Sequence, residues 1–88
     1  MITSFQMRAA RALLGIDQKA LAELAGVSLP TIQRMEASDG TVRGVVETLM
    51  KVVDAFDHVG IELIGDHAPS ATGGRGVRLK SAKPPNLR

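Results

Sequence analysis

Through the first two thirds of the chain, apolar residues recur at spacings of three and four, the signature of helices that bury one face. Met7, Ala10 and Leu14 fall at i, i+3 and i+7, with Phe5 and Leu13 widening the stripe, and predict a helix over Thr3–Leu14. Gly15 stops it. Asp17 then stands where an N-cap is wanted, and Ile16 and Leu21 bracket it at the spacing of a hydrophobic staple. A second helix over Gln18–Ala25 should bury Leu21, Ala22 and Leu24 and end at Gly26, the residue best suited to a left-handed turn. Ser28 caps a third, with Pro30 in its first turn, where a missing N–H does no harm. Val27 and Ile32 repeat the staple, Ile32 and Met35 face inward, and Ser38-Asp39-Gly40 breaks the helix.

A fourth helix is expected from about Val42 to His58. Its stripe of Val45, Val46, Leu49, Val52, Val53 and Phe56 is wide enough for a central core helix. After Gly60 the period shortens. Ile61–Ile64 reads as a strand, Gly65–Gly76 as a loop, and Val77–Leu79 as a second short strand, paired back on the first or across a dimer. Ser81–Arg88, with Pro84-Pro85, is expected to be disordered. The outcome is an all-α, four-helix domain over residues 1–59, a C-terminal β-strand or hairpin over 60–80, and a tail over 81–88.

Composition narrows what such a domain can do. Only two of the 88 residues are aromatic, so the core must be aliphatic, and the absence of Cys excludes disulfides, thiolate catalysis and cysteine zinc sites. A chain this short is not expected to hold a deep enzyme cleft, and no Ser-His-Asp or paired-carboxylate arrangement has supporting context. The expectation is a protein that is not an enzyme and needs no cofactor. His58 and His67, beside Asp57 and Asp66, lack the spacing of a ligand box, so no metal is expected and His58 is read as serving the end of its helix. Gly73-Gly74-Arg75-Gly76 lacks the Gly-Lys-Ser/Thr of a phosphate loop. Neither a signal peptide nor a membrane-spanning run is expected, which points to the cytoplasm.

The net charge of +2 is unevenly spread. Residues 1–40 balance; residues 41–66 carry Arg43 and Lys51 against Glu47, Asp54, Asp57, Glu62 and Asp66; residues 67–88 carry Arg75, Arg78, Lys80, Lys83 and Arg88 with no acid. A basic tail on a neutral-to-acidic body suits either phosphate contact or simple solvation. Asp54 and Asp57 near a helix C-terminus oppose its dipole, and read as a solvated face or an acidic partner surface.

Two short helices joined by a tight turn, the second polar outside, form a helix-turn-helix pattern. Ala22 lets the helices approach, Gly26 reverses the chain, and Ile32 anchors the second helix so that Leu29, Pro30, Thr31, Gln33 and Arg34 point outward. The run from Gln18 to Glu36, QKALAELAGVSLPTIQRME, resembles the Cro/CI-type helix-turn-helix family, and the resemblance extends over roughly residues 5–57. It implies a transcriptional regulator that binds operator DNA as a dimer. On that resemblance, Ser28, Leu29, Thr31, Gln33 and Arg34 would line the base-reading surface. Gln18, Lys19 and Arg43 would hold phosphates. Arg11 and Glu36 take positions that form a semi-buried ion pair in phage repressors of this type, a structural role. Leu29 and Pro30 replace the Gln-type readers of some members, which shifts base recognition towards thymine methyl groups. The usual fifth helix is replaced by the Ile61–Ile64 strand, and some small family members dimerise through such strands. A rival use of the same fold is to bind a protein, an activator or a toxin, as an antiactivator or antitoxin does.

Overall fold

Thr3 opens the first helix with a reciprocal pair of hydrogen bonds: its Oγ1 accepts from the Gln6 N–H at 3.1 Å, and its own N–H donates to Gln6 Oε1 at 2.9 Å. In the computed structural model, which describes residues 2–66, 69 and 71–81, this capping box starts α1 (Ser4–Leu14). Gly15 ends it at a φ of 69°, and the turn sends the Ile16 N–H to the Arg11 carbonyl at 3.1 Å. Asp17 caps α2 (Gln18–Ala25) by accepting from the Ala20 N–H at 2.8 Å. Gly26, again at φ 69°, closes α2 in the same way, with the Val27 N–H on the Ala22 carbonyl at 3.0 Å. Ser28 caps α3 (Leu29–Glu36), which carries Pro30 in its first turn.

The segment after α3 does not run straight into a helix. It first lies against the N-terminus: the Ser4 N–H donates to the Gly40 carbonyl at 2.9 Å, the Val42 N–H donates to the Ile2 carbonyl at 3.0 Å, and Thr3 and Thr41 form an isolated antiparallel bridge. Only then does α4 (Val46–His58) begin, with Val45 at its N-cap and no side-chain hydrogen bond there. β1 (Ile61–Ile64) and β2 (Gly76–Leu79) pair antiparallel within the chain, Ile61 opposite Leu79 and Ile64 opposite Gly76. Ile61, Leu63, Val77 and Leu79 pack towards the core, while Glu62 and Arg78, directly opposite each other, form a 2.7 Å ion pair in the open. The hairpin is fastened to α1 by Gln6, whose Nε2 donates to the carbonyls of Ile64 and Gly76, both at 3.0 Å.

The core is aliphatic apart from Phe56. Met7, Leu21, Ile32, Met35, Val42, Val52 and Ile61 complete its centre, drawn from every helix, the α3–α4 segment and β1. Several apolar residues expected inside are outside. Helix α4 starts at Val46 rather than near Val42, because Val42 is held in the bridge to Ile2 and buried there. Val45 and Val46 therefore stand out in solvent instead of joining the α4 core stripe. Phe5 and Leu13 lie on the outer flank of α1, and Leu24 on that of α2, all exposed. The 3.6-residue period puts them near the edge of each apolar arc, and packing against only one layer of neighbours leaves the edges uncovered.

Candidate nucleic-acid interface

Helix α3 presents two faces of opposite character. Ile32, Met35 and Glu36 are buried, while Pro30, Gln33 and Arg34, spaced by three and four, stand in solvent. Neither the Gln33 nor the Arg34 side chain has a hydrogen-bond or ion-pair partner among the described residues. At the N-terminus, Ser28 Oγ accepts from the Thr31 N–H at 3.2 Å and lies 2.7 Å from Thr31 Oγ1. That pair shares one proton, so one hydroxyl proton stays free to donate outward. Leu29 is half-buried against the core, so only its edge is offered to a ligand.

The inner face is locked by charge as well as packing. Arg11 grips Glu36 through two parallel hydrogen bonds, Nε to Oε2 and one terminal nitrogen to Oε1, both 2.7 Å. The Glu36 side chain is only 3% exposed and that of Arg11 20%. The bond to Glu36 raises the already high Arg11 pKa, against the opposing effect of burial, and the charges of Glu36 and Asp17 add to it. The third Arg11 donor reaches the Ile16 carbonyl at 3.3 Å. Gln18 Nε2 also donates to Glu36 Oε1, at 3.2 Å. One carboxylate at the end of α3 thus joins α1 to the start of α2, fixing the angle at which α3 leaves the body.

The expected phosphate-holding residues have different surroundings. Lys19, in the first turn of α2, and Arg43, between α3 and α4, are exposed cations. Gln18 is half-buried, with its amide nitrogen directed at Glu36. The sequence reading singles out neither Ser4, which braces the end of α3, nor Gln6, which holds the hairpin. Ser4 Oγ donates to the Ser38 carbonyl at 2.7 Å and so fixes the chain leaving α3. The Thr-x-x-Gln spacing at Thr3 is the signal that could have revealed Gln6. Among the described residues, no three or more His, Asp or Glu side chains gather as metal ligands would, and no helix is long and apolar enough to cross a membrane. His67 and residues 82–88 of the basic tail lie outside the described residues.

No curated protein matches the chain. A helix-turn-helix family model does, over residues 7–64, from the first turns of α1 to the last residue of β1. With the capped, glycine-hinged pair α2–α3 and the locked inner face of α3, that match shows that the chain belongs to the Cro/CI-type helix-turn-helix family of DNA-binding regulators.

Proposed function

We propose that the chain is a sequence-specific repressor of transcription, working in the cytoplasm as a homodimer, that reads the major groove of double-stranded DNA with residues 28–37. The observation that carries this reading is the exposed pair Gln33 and Arg34, without side-chain partners among the described residues, on a helix whose other face is immobilised. An α-helix fits a major groove about 12 Å wide, and an arginine there pairs with the O6 and N7 of guanine. Arg34 is that reader. Gln33 takes an adjacent base edge or a phosphate, Ser28 and Thr31 share a donor hydroxyl, and the edge of Leu29 meets a thymine methyl. Lys19 and Arg43 hold the backbone, joined by Gln18 through the second N–H of its amide nitrogen and by the N-terminal amides of α2. Two copies spaced by about 34–36 Å would engage a pseudo-palindromic operator. Occupying a promoter in this way is enough to block polymerase.

A second reading is favoured by the same face. Arg34 is the one cation of α3, and Pro30 stands exposed beside it, a composition that also suits a protein partner such as an activator or toxin. Fluorescence anisotropy separates the two. DNA from upstream of the chain's own gene, titrated against scrambled DNA at two salt concentrations, should bind specifically. Arg34→Ala should cost about 1–3 kcal/mol of that affinity and relax specificity at one position. Equal, salt-sensitive binding to both DNAs, unchanged in Arg34→Ala, would reject base reading and favour the protein partner.

A further inference from the structure

The flank of α4 that the core leaves bare has a use that DNA reading does not supply. Val46 and Met50 stand one turn apart on it, 71% and 49% exposed, and Val45 just before them is 69% exposed. Among the described residues, no neighbour covers these side chains. Valine is a poor N-cap where Ser, Thr or Asp would stabilise the helix by about 1 kcal/mol, and exposed β-branched residues add nothing to helix propensity. Further along the same flank, Val53 forms with Ile61 and Leu63 of β1 a groove of about 250 Å³, rimmed by Asp54, Asp57 and Lys80.

The flank therefore carries protruding apolar residues at one end and a groove at the other. Charge follows the same polarity. Arg43 and the positive end of the helix dipole lie at the Val46 end; Asp54 and Asp57 lie at the groove end. Arg43 and Asp54 have no ion-pair partner among the described residues, while Asp57 pairs with Lys80 of its own chain. A surface of this kind is complementary to itself after a two-fold rotation.

We infer that a second copy of this chain docks on this flank, the two α4 helices antiparallel and crossing at Met50, so that Val46 of each enters the groove beside Val53 of the other. The register is consistent along the helix. Val46 lies four residues before Met50 and Asp54 four after. Each Val46 thus comes level with the partner's Asp54. Two aspartates that oppose the dipole of their own helix come to rest beside the positive end of the other. The inference rests on the homodimer proposed above and gives it a surface, with the open edges of the two-stranded hairpin as the competing one. A stripe this narrow falls short of the roughly 800 Å² per partner of standard interfaces, so the dimer forms at high concentration and tightens when one operator holds both copies.

The chain has no cysteine, which makes the test direct. Met50→Cys should give a disulfide-linked dimer on mild oxidation, because it lies at the two-fold axis, whereas Phe5→Cys, equally solvent-facing on α1, should not. In sedimentation at about 0.5 mM, the wild type should show twice the 9.3 kDa chain mass, and Met50→Lys or Val46→Glu should weaken the dimer by about tenfold or more. Both side chains are exposed, so thermal unfolding should confirm an intact fold. A wild-type dimer that persists in both variants, with no Met50→Cys cross-link, overturns the α4 surface while leaving the homodimer to the hairpin edge. A wild type that stays monomeric and binds its operator one chain per site overturns the homodimer reading and this inference with it.

Discussion

Glu36 shows how a single side chain can set the worth of its neighbours. Its carboxylate is nearly sealed from water and receives donors from Arg11 and Gln18. Arg11→Ala leaves a buried charge with one neutral donor, and should destabilise the fold by about 3 kcal/mol. Gln18→Ala removes one longer bond while the two-pronged arginine grip remains, and should cost about 1 kcal/mol. Urea denaturation of the two variants should give that order; equal losses would mean that the arginine is held mainly by packing. Lys19 tests the opposite kind of residue, an exposed cation with no structural duty. Lys19→Ala should leave the urea midpoint unchanged, weaken operator and scrambled DNA alike, and lower the salt slope by about 1. A loss confined to the operator would make Lys19 a base reader instead.

Individual elements were legible in the sequence wherever their ends are written locally. Asp17, Ser28, Gly15, Gly26 and Pro30 act within one turn of themselves, and each stands where its chemistry requires. Gly26→Ala tests this directly. A new Cβ would meet nothing within 4 Å, so its cost of about 1 kcal/mol would come from the left-handed φ alone and should appear as a lower melting temperature. Where α4 begins could not be read in the same way, because the competitor for Val42 is Ile2, forty residues away. Periodicity ranks apolar positions but does not say how many neighbours a helix will have, which is why Phe5, Leu13 and Leu24 were placed inside and lie outside. At the interface, the Arg11–Glu36 pair came from family resemblance. The added bond from Gln18 depends on how α2 approaches α3, which no local pattern encodes.

At the scale of the whole molecule, among the described residues, the hairpin is joined to the helices by charge, by apolar packing and by one side-chain amide. Lys80 donates to the Asp57 carboxylate at the end of α4, and this bond, with the lysine's charge, holds the Asp57 pKa below its ordinary value. A carboxylate with a lowered folded pKa contributes stability above its unfolded pKa of about 3.9, and loses it as the pH falls through the folded value. Asp57→Asn should therefore be less stable than wild type at neutral pH, with the gap closing below about pH 3.9. Urea midpoints across that range would check it; a constant gap would mean that the substitution acts other than through charge. The single amide is that of Gln6, which caps α1 through its oxygen and both strands through its nitrogen, across 58 and 70 residues of sequence. This linkage sets an order of events during synthesis. As the ribosome delivers the chain, α1 to α3 can coil in turn, but the amide of the sixth residue finds its last acceptor only after Gly76 has left the exit tunnel. Until then the hairpin is not fastened to α1, so α3 emerges before the body that carries it is complete.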